Sequence, residues 1–177
     1  MFHHKDICLA PSNYIGRQFY FVTICCFDRR KIFQDPLQGP RLLDALRSEF
    51  AARCFAIHAY CLMPDHFHFL TEGLEPYSDL LNLVLSFKVK TSRLYRQRTS
   101  QSLWQKKFFD HILRPNEATE SVAWYIWLNP VRKGLAKDVG SYPLAGSFTN
   151  SFPLGTPAPA SWTPVWKSHG YARRAVS

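Results

Sequence analysis

No run of about eighteen uninterrupted apolar residues occurs in the 177-residue chain, which leaves no candidate for a membrane-crossing helix. The first residues, Met1-Phe2-His3-His4-Lys5-Asp6, lack the apolar core of a signal peptide, so the cytoplasm is the expected place of work. No Cys-x-x-Cys pair exists among the five cysteines, Cys8, Cys25, Cys26, Cys54 and Cys61. That excludes a zinc ribbon or a dithiol redox centre, and the odd count argues against a disulfide framework. Cys25, Cys26, Cys54 and Cys61 fall in apolar, strand-like runs, where free cysteine acts as a small hydrophobe. Internal repeats are absent. Acidic residues are scarce, 13 against 22 Lys and Arg, for a formal net charge of +9. A polyanionic partner is therefore favoured.

What is present is apolar: 46% of the chain, with 15% aromatic. This excludes general disorder and suffices for one packed domain. Residues 18–27 are aromatic and β-branched and predict a first strand. Residues 36–53 carry Leu42, Leu43, Leu46 and Phe50 at helical spacing, with Arg41, Arg47 and Glu49 turned outward. Residues 54–62 predict a second strand, and Met63-Pro64-Asp65 a tight turn into a third. A second helix over 78–98 places Leu80, Val84, Phe87 and Leu94 on one stripe. A fourth strand is expected over 103–114. Asn116 is expected to cap a third helix, with Glu117 and Glu120 in its first turn and Pro130 stopping it after Asn129. The order is β-α-β-β-α-β plus a helix, an α+β, ferredoxin-like antiparallel sheet with an added C-terminal helix. In that fold the first and third strands are central. One face takes the two crossover helices, and the other is open to a ligand or the added helix. The domain is expected over residues 1–149. Residues 150–177 form a Pro-, Ser- and Thr-rich tail bearing Trp162, Trp166, Lys167, Arg173 and Arg174. Either the tail contacts nucleic acid or its tryptophans pack on the body.

The chemistry concentrates in two segments. In Asp65-His66-Phe67-His68 the two histidines are two apart on a strand, so both imidazoles leave the same face. They are either half of a divalent-metal site or a pair of partly buried sheet histidines. On the third helix Tyr125 and Asn129 are four apart and share a face, with Val122 and Ile126 as anchors. Asn129 offers a carbonyl oxygen to a hard cation. Two imidazoles and an amide oxygen leave coordination positions that Mg2+ or Mn2+ can use to polarise a phosphodiester. The Tyr125 phenol then becomes a candidate nucleophile, provided nearby positive charge favours the phenolate. Candidate phosphate contacts are Lys88, Lys90, Arg93, Arg96 and Arg98 on the second helix, with Lys106, Lys107, Arg132 and Lys133.

Segments 19–24, 59–70, 109–114 and 125–135 together resemble the REP-associated tyrosine transposases, single-tyrosine members of the HUH transposases. The Met-Pro-x-His-x-His and Tyr-Ile-x-x-Asn-Pro-Val-Arg motifs carry the resemblance. It implies that His66, His68 and Asn129 hold the metal and that Tyr125 is catalytic. It implies cutting of single-stranded DNA through a 5′-phosphotyrosine at hairpins of repeated extragenic palindromes, by a bacterial, nucleoid-associated protein acting as monomer or homodimer. Lys88 is the basic residue that best matches the family. Asp65 stands where Asn is more usual, and Ala145-Gly146-Ser147 where a Ser-Ser pair is. The competing readings are a domesticated hairpin-binding module without cleavage and a metal phosphohydrolase. Leu70 occupies the place where the latter would need a third alternating histidine.

Overall fold

Aromatic and β-branched residues run almost unbroken through β1 (Phe19–Cys25), and every position after the first is buried. A computed structural model describes residues 10–149 and 162–164. After β1 come α1 (Gln38–Ala52), β2 (Phe55–Met63), β3 (His66–Gly73) and α2 (Leu80–Thr99). β4 (Phe109–Ile112), α3 (Thr119–Trp127), α4 (Asn129–Arg132) and β5 (Ala145–Gly146) complete the order. The sheet runs β4-β1-β3-β2-β5 with every pairing antiparallel. The ferredoxin-like expectation is met, with β3 in the middle and a fifth strand added at the β2 edge.

Alternation along the strands builds two cores. Tyr20, Val22, Ile24, Leu62, Phe67 and Phe69 face α1 and α2, and meet Leu46, Phe50, Leu83 and Phe87. Phe21, Ala59, Cys61, Met63 and Leu70 face the other way and are covered by Val122 to Trp127 of α3. The second face is thus closed over by α3 along part of its length.

Several expectations are corrected. The strand expected over 103–114 shrinks to Phe109–Ile112, because Leu103 and Trp104 drop into the α1–α2 core and the Trp104 indole donates to Thr91 Oγ1 (2.8 Å). Helix α3 starts at Thr119 instead of just after Asn116. Glu117 precedes it, accepting from the Arg114 amide and His111. Pro130 does not stop the chain from being helical. The helix breaks at Leu128, and α4 follows with Pro130 in its first turn, where no amide hydrogen is needed. Leu94 is exposed; Thr91 holds the inner stripe in its place. Glu49 points inward, bonded to Lys90, Arg53 and Ser86. Cys25, Cys26 and Cys61 are buried and unpaired, and Cys54 is half-buried in a turn with a left-handed backbone. Cys8 and the tail, apart from residues 162–164, lie outside the described residues. Among the described residues no helix is long and apolar enough to cross a membrane.

Gly73 closes β3 where the backbone of Gly16 passes, and a Cβ there would stand 2.2 Å from the Gly16 carbonyl oxygen. Gly73→Ala is therefore expected to cost about 1–3 kcal/mol, as for other forced overpacking. A lowered denaturant midpoint at unchanged slope would register this.

Candidate active site

His66 and His68 leave the same face of the central strand, their rings 4.5 Å apart and nearly perpendicular. Each imidazole is pinned at Nδ1. His68 Nδ1 is hydrogen-bonded to Thr23 Oγ1 (2.7 Å), directly across the β1–β3 ladder, and its ring stacks on Phe21 at 5.6 Å. His66 Nδ1 lies 2.5 Å from Asp65 Oδ1. With Nδ1–H donated to a carboxylate, His66 keeps its Nε2 lone pair for a cation.

Tyr125 comes down from α3 onto this face. Its ring meets Phe21 edge-on at 5.8 Å and His68 at 6.3 Å, and only 3% of the residue is exposed. The Arg132 guanidinium lies 4.8 Å over that ring and donates to the Tyr125 carbonyl. Burial pushes the phenol up to about 12, with Arg132 opposing from the exposed side. Desolvation outweighs Arg132, which acts in the expected direction by favouring the phenolate. Trp162 packs against Tyr125 (5.3 Å) and Phe21 (5.4 Å) and donates to Glu117. One of the two tail tryptophans thus packs on the body; Trp166 lies outside the described residues.

Asn129 is buried at the start of α4. Its amide nitrogen donates to the carbonyls of Tyr125 and Ile126, so the carbonyl oxygen is the side-chain atom with lone pairs to offer a cation. Among the described residues no three or more His, Cys, Asp or Glu are grouped so that they alone could hold a metal ion. A cation here would take a mixed set of imidazole nitrogens and amide oxygen, which suits Mn2+ or Mg2+.

The basic candidates divide. Lys88 Nζ donates to the carbonyls of Gln105 and Lys106, both at 2.7 Å, and burial holds its pKa below the usual lysine value. Lys90 is bonded to Ser48 and Glu49. Both tie elements together while staying partly open to solvent, Lys88 on a cleft wall. Lys88, Arg93, Arg96 and Lys106 line a cleft of about 640 Å³ walled by Trp104. Arg98, Lys107 and Lys133 are exposed. Sequence reasoning did not read Thr23 or Asp65 as partners of the histidines, and Arg132, expected at phosphate, also lies over the Tyr125 ring. Only the adjacency of Asp65 to His66 offered a sequence signal.

The described residues thus set a histidine pair of the central strand beneath a tyrosine-bearing helix. Residues 16–127 match the sequence model of the family described as Transposase IS200 like, and the chain belongs to that family. It is 27% identical to the REP-associated tyrosine transposase of Escherichia coli (strain K12), over 75% of this chain and 78% of that one. It is 24% identical to an uncharacterized protein of Haemophilus influenzae, over 73% and 89% respectively. Its fold matches a solved REP-associated tyrosine transposase bound to a REP hairpin, with a TM-score of 0.67, 23% identity and 82% of each chain covered. These comparisons bear out the resemblance read from the sequence.

Proposed function

We propose that the protein cuts and rejoins single-stranded DNA beside REP hairpins, with Tyr125 as nucleophile. The observation that carries this reading is the placement of the Tyr125 ring against His68, on the sheet face that also bears His66. The E. coli relative is named for REP elements, and the solved neighbour is bound to a REP hairpin; similarity to them supports the same substrate here.

In the cutting step the Tyr125 phenolic oxygen bonds to phosphorus and the bond from phosphorus to the 3′-oxygen breaks. The phenol loses its proton, the 3′-oxygen gains one, and the 5′-phosphate stays on the tyrosine. Rejoining is the reverse attack by a 3′-hydroxyl. His66, His68 and the Asn129 carbonyl oxygen would hold the divalent cation. Bound there, Mg2+ or Mn2+ would stabilise negative charge on the phosphodiester oxygens. Phe21 and Arg132 hold the phenol ring in place. Lys88, Lys90, Arg93, Arg96, Lys106, Lys107, Arg132 and Lys133 supply phosphate contacts, Lys88 from the wall of the cleft that it shares with Arg93, Arg96 and Lys106.

A phenol fixed on a buried helix reaches phosphorus only in a strand that can bend into the cleft, which stacked duplex resists. Hairpins with single-stranded flanks should be cut and fully paired duplex should not, while binding of both weakens steeply with salt. Labelled oligonucleotides in both forms, at fixed salt and Mn2+, test this. Equal cutting of the duplex would overturn the single-strand reading. Tight hairpin binding with no cutting under any divalent ion would favour a pure binding module.

A further inference from the structure

His66 is held by more than its neighbour in sequence. Asp65 takes His66 Nδ1 on Oδ1, and its Oδ2 lies 3.0 Å from Arg29 Nε. Its main-chain carbonyl accepts the Cys26 amide at 2.9 Å, which ties the β2–β3 turn to the end of β1. Arg29 also donates Nη1 to Cys25 Sγ (2.9 Å), and Cys25 is the cross-strand partner of His66. The guanidinium therefore grips the carboxylate beside His66 and the strand position opposite it. Side-chain exposure falls along the chain of contacts, from 49% at Arg29 to 23% at Asp65 and 12% at His66.

The backbone takes an unfavourable path to arrange this. Asp28 and Arg29 sit at φ 52° and 53°, two consecutive left-handed residues that are not glycine. Such a turn folds the Arg29 side chain back over the end of β1, where an extended continuation of the strand would carry it away.

We infer that Arg29 is a positioning residue for the metal centre, acting on His66 through Asp65. Arg29 fixes the Asp65 carboxylate, and Asp65 fixes the Nδ1–H tautomer and ring plane of His66. His66 then presents a more basic Nε2 to the cation. The inference rests on the reading of His66 as a metal ligand. Its arginine fork matters because the guanidinium serves a carboxylate and a sulfur at once, which a lysine ammonium does with less directional control.

The test is Mn2+ affinity of the full chain, followed by electron paramagnetic resonance of free ion, alongside the nitrogen-15 signals of the His66 ring. Asp65→Ala should weaken Mn2+ about 10- to 100-fold, as loss of an outer carboxylate on a ligating histidine does. Arg29→Ala should weaken it about 10-fold, and Arg29→Lys should restore part of that. The Arg29→Ala/Asp65→Ala double variant should bind no worse than Asp65→Ala alone, because the arginine acts only through the carboxylate. In Arg29→Ala the His66 ring signals should shift toward tautomer averaging, while those of His68, pinned by Thr23, stay put. Arg29→Ala binding within about twofold of the parent, or additive losses in the double variant, would overturn the relay. A parent protein that binds Mn2+ no better than His66→Ala would overturn the metal reading instead, and the relay with it.

Discussion

Tyr125→Phe is expected to lower strand cleavage by at least about 1,000-fold, the scale on which loss of an attacking nucleophile is felt. Hairpin affinity should stay within about twofold, since phosphate contacts dominate binding and none is removed. The substitution takes away one oxygen and keeps the ring that packs on Phe21, His68 and Trp162 beneath Arg132. Tyr125→Ala would be the poorer experiment, because it empties a buried site between α3 and the sheet and confounds chemistry with folding. Single-turnover cleavage and a binding titration on the same oligonucleotide separate the two effects. Cleavage at the parent rate by Tyr125→Phe would remove the nucleophile assignment.

His66→Ala or His68→Ala is expected to cost about 100-fold or more in divalent-dependent cleavage, through loss of a ligand and of charge stabilisation. The two variants should differ in stability. His66 lies toward the rim, partnered by Asp65. His68 is 7% exposed, stacks on Phe21 and bonds to Thr23. Its loss strands a buried hydroxyl at about 1–3 kcal/mol. The sheet face around the histidines is thus less open than strand alternation alone suggested, because α3 covers it. Cleavage that persists in both variants, or that needs no divalent ion, would show the pair to be structural.

The α+β order was legible because its signals are local. The β-branched and aromatic run at 19–25, the helical spacing of Leu42, Leu46 and Phe50, and the Pro64-Asp65 turn each announce an element without reference to the rest of the chain. The central place of His66 and His68 followed from the order of elements. What stayed hidden is set by distant partners. Two-residue β5 exists only because Ala145 and Gly146 find Cys61 and Tyr60. Leu103 and Trp104 have strand-like composition, but Thr91 and the α1–α2 core claim them. Lys88 and Lys90 look like a solvated basic face until Gln105, Lys106, Ser48 and Glu49 are seen around their ammonium groups. Thr23 is an ordinary strand threonine until the β1–β3 register sets it opposite His68.

The central claim is that Tyr125 itself becomes bonded to DNA. The full chain should be incubated with Mn2+ and a REP hairpin carrying single-stranded flanks, digested with protease and nuclease, and its peptides read by tandem mass spectrometry. The account predicts a nucleotide joined through its 5′-phosphate to Tyr125 and to no other residue, with a free 3′-hydroxyl on the released strand. A cut strand without any protein-linked nucleotide, or a nucleotide on another side chain, would contradict it.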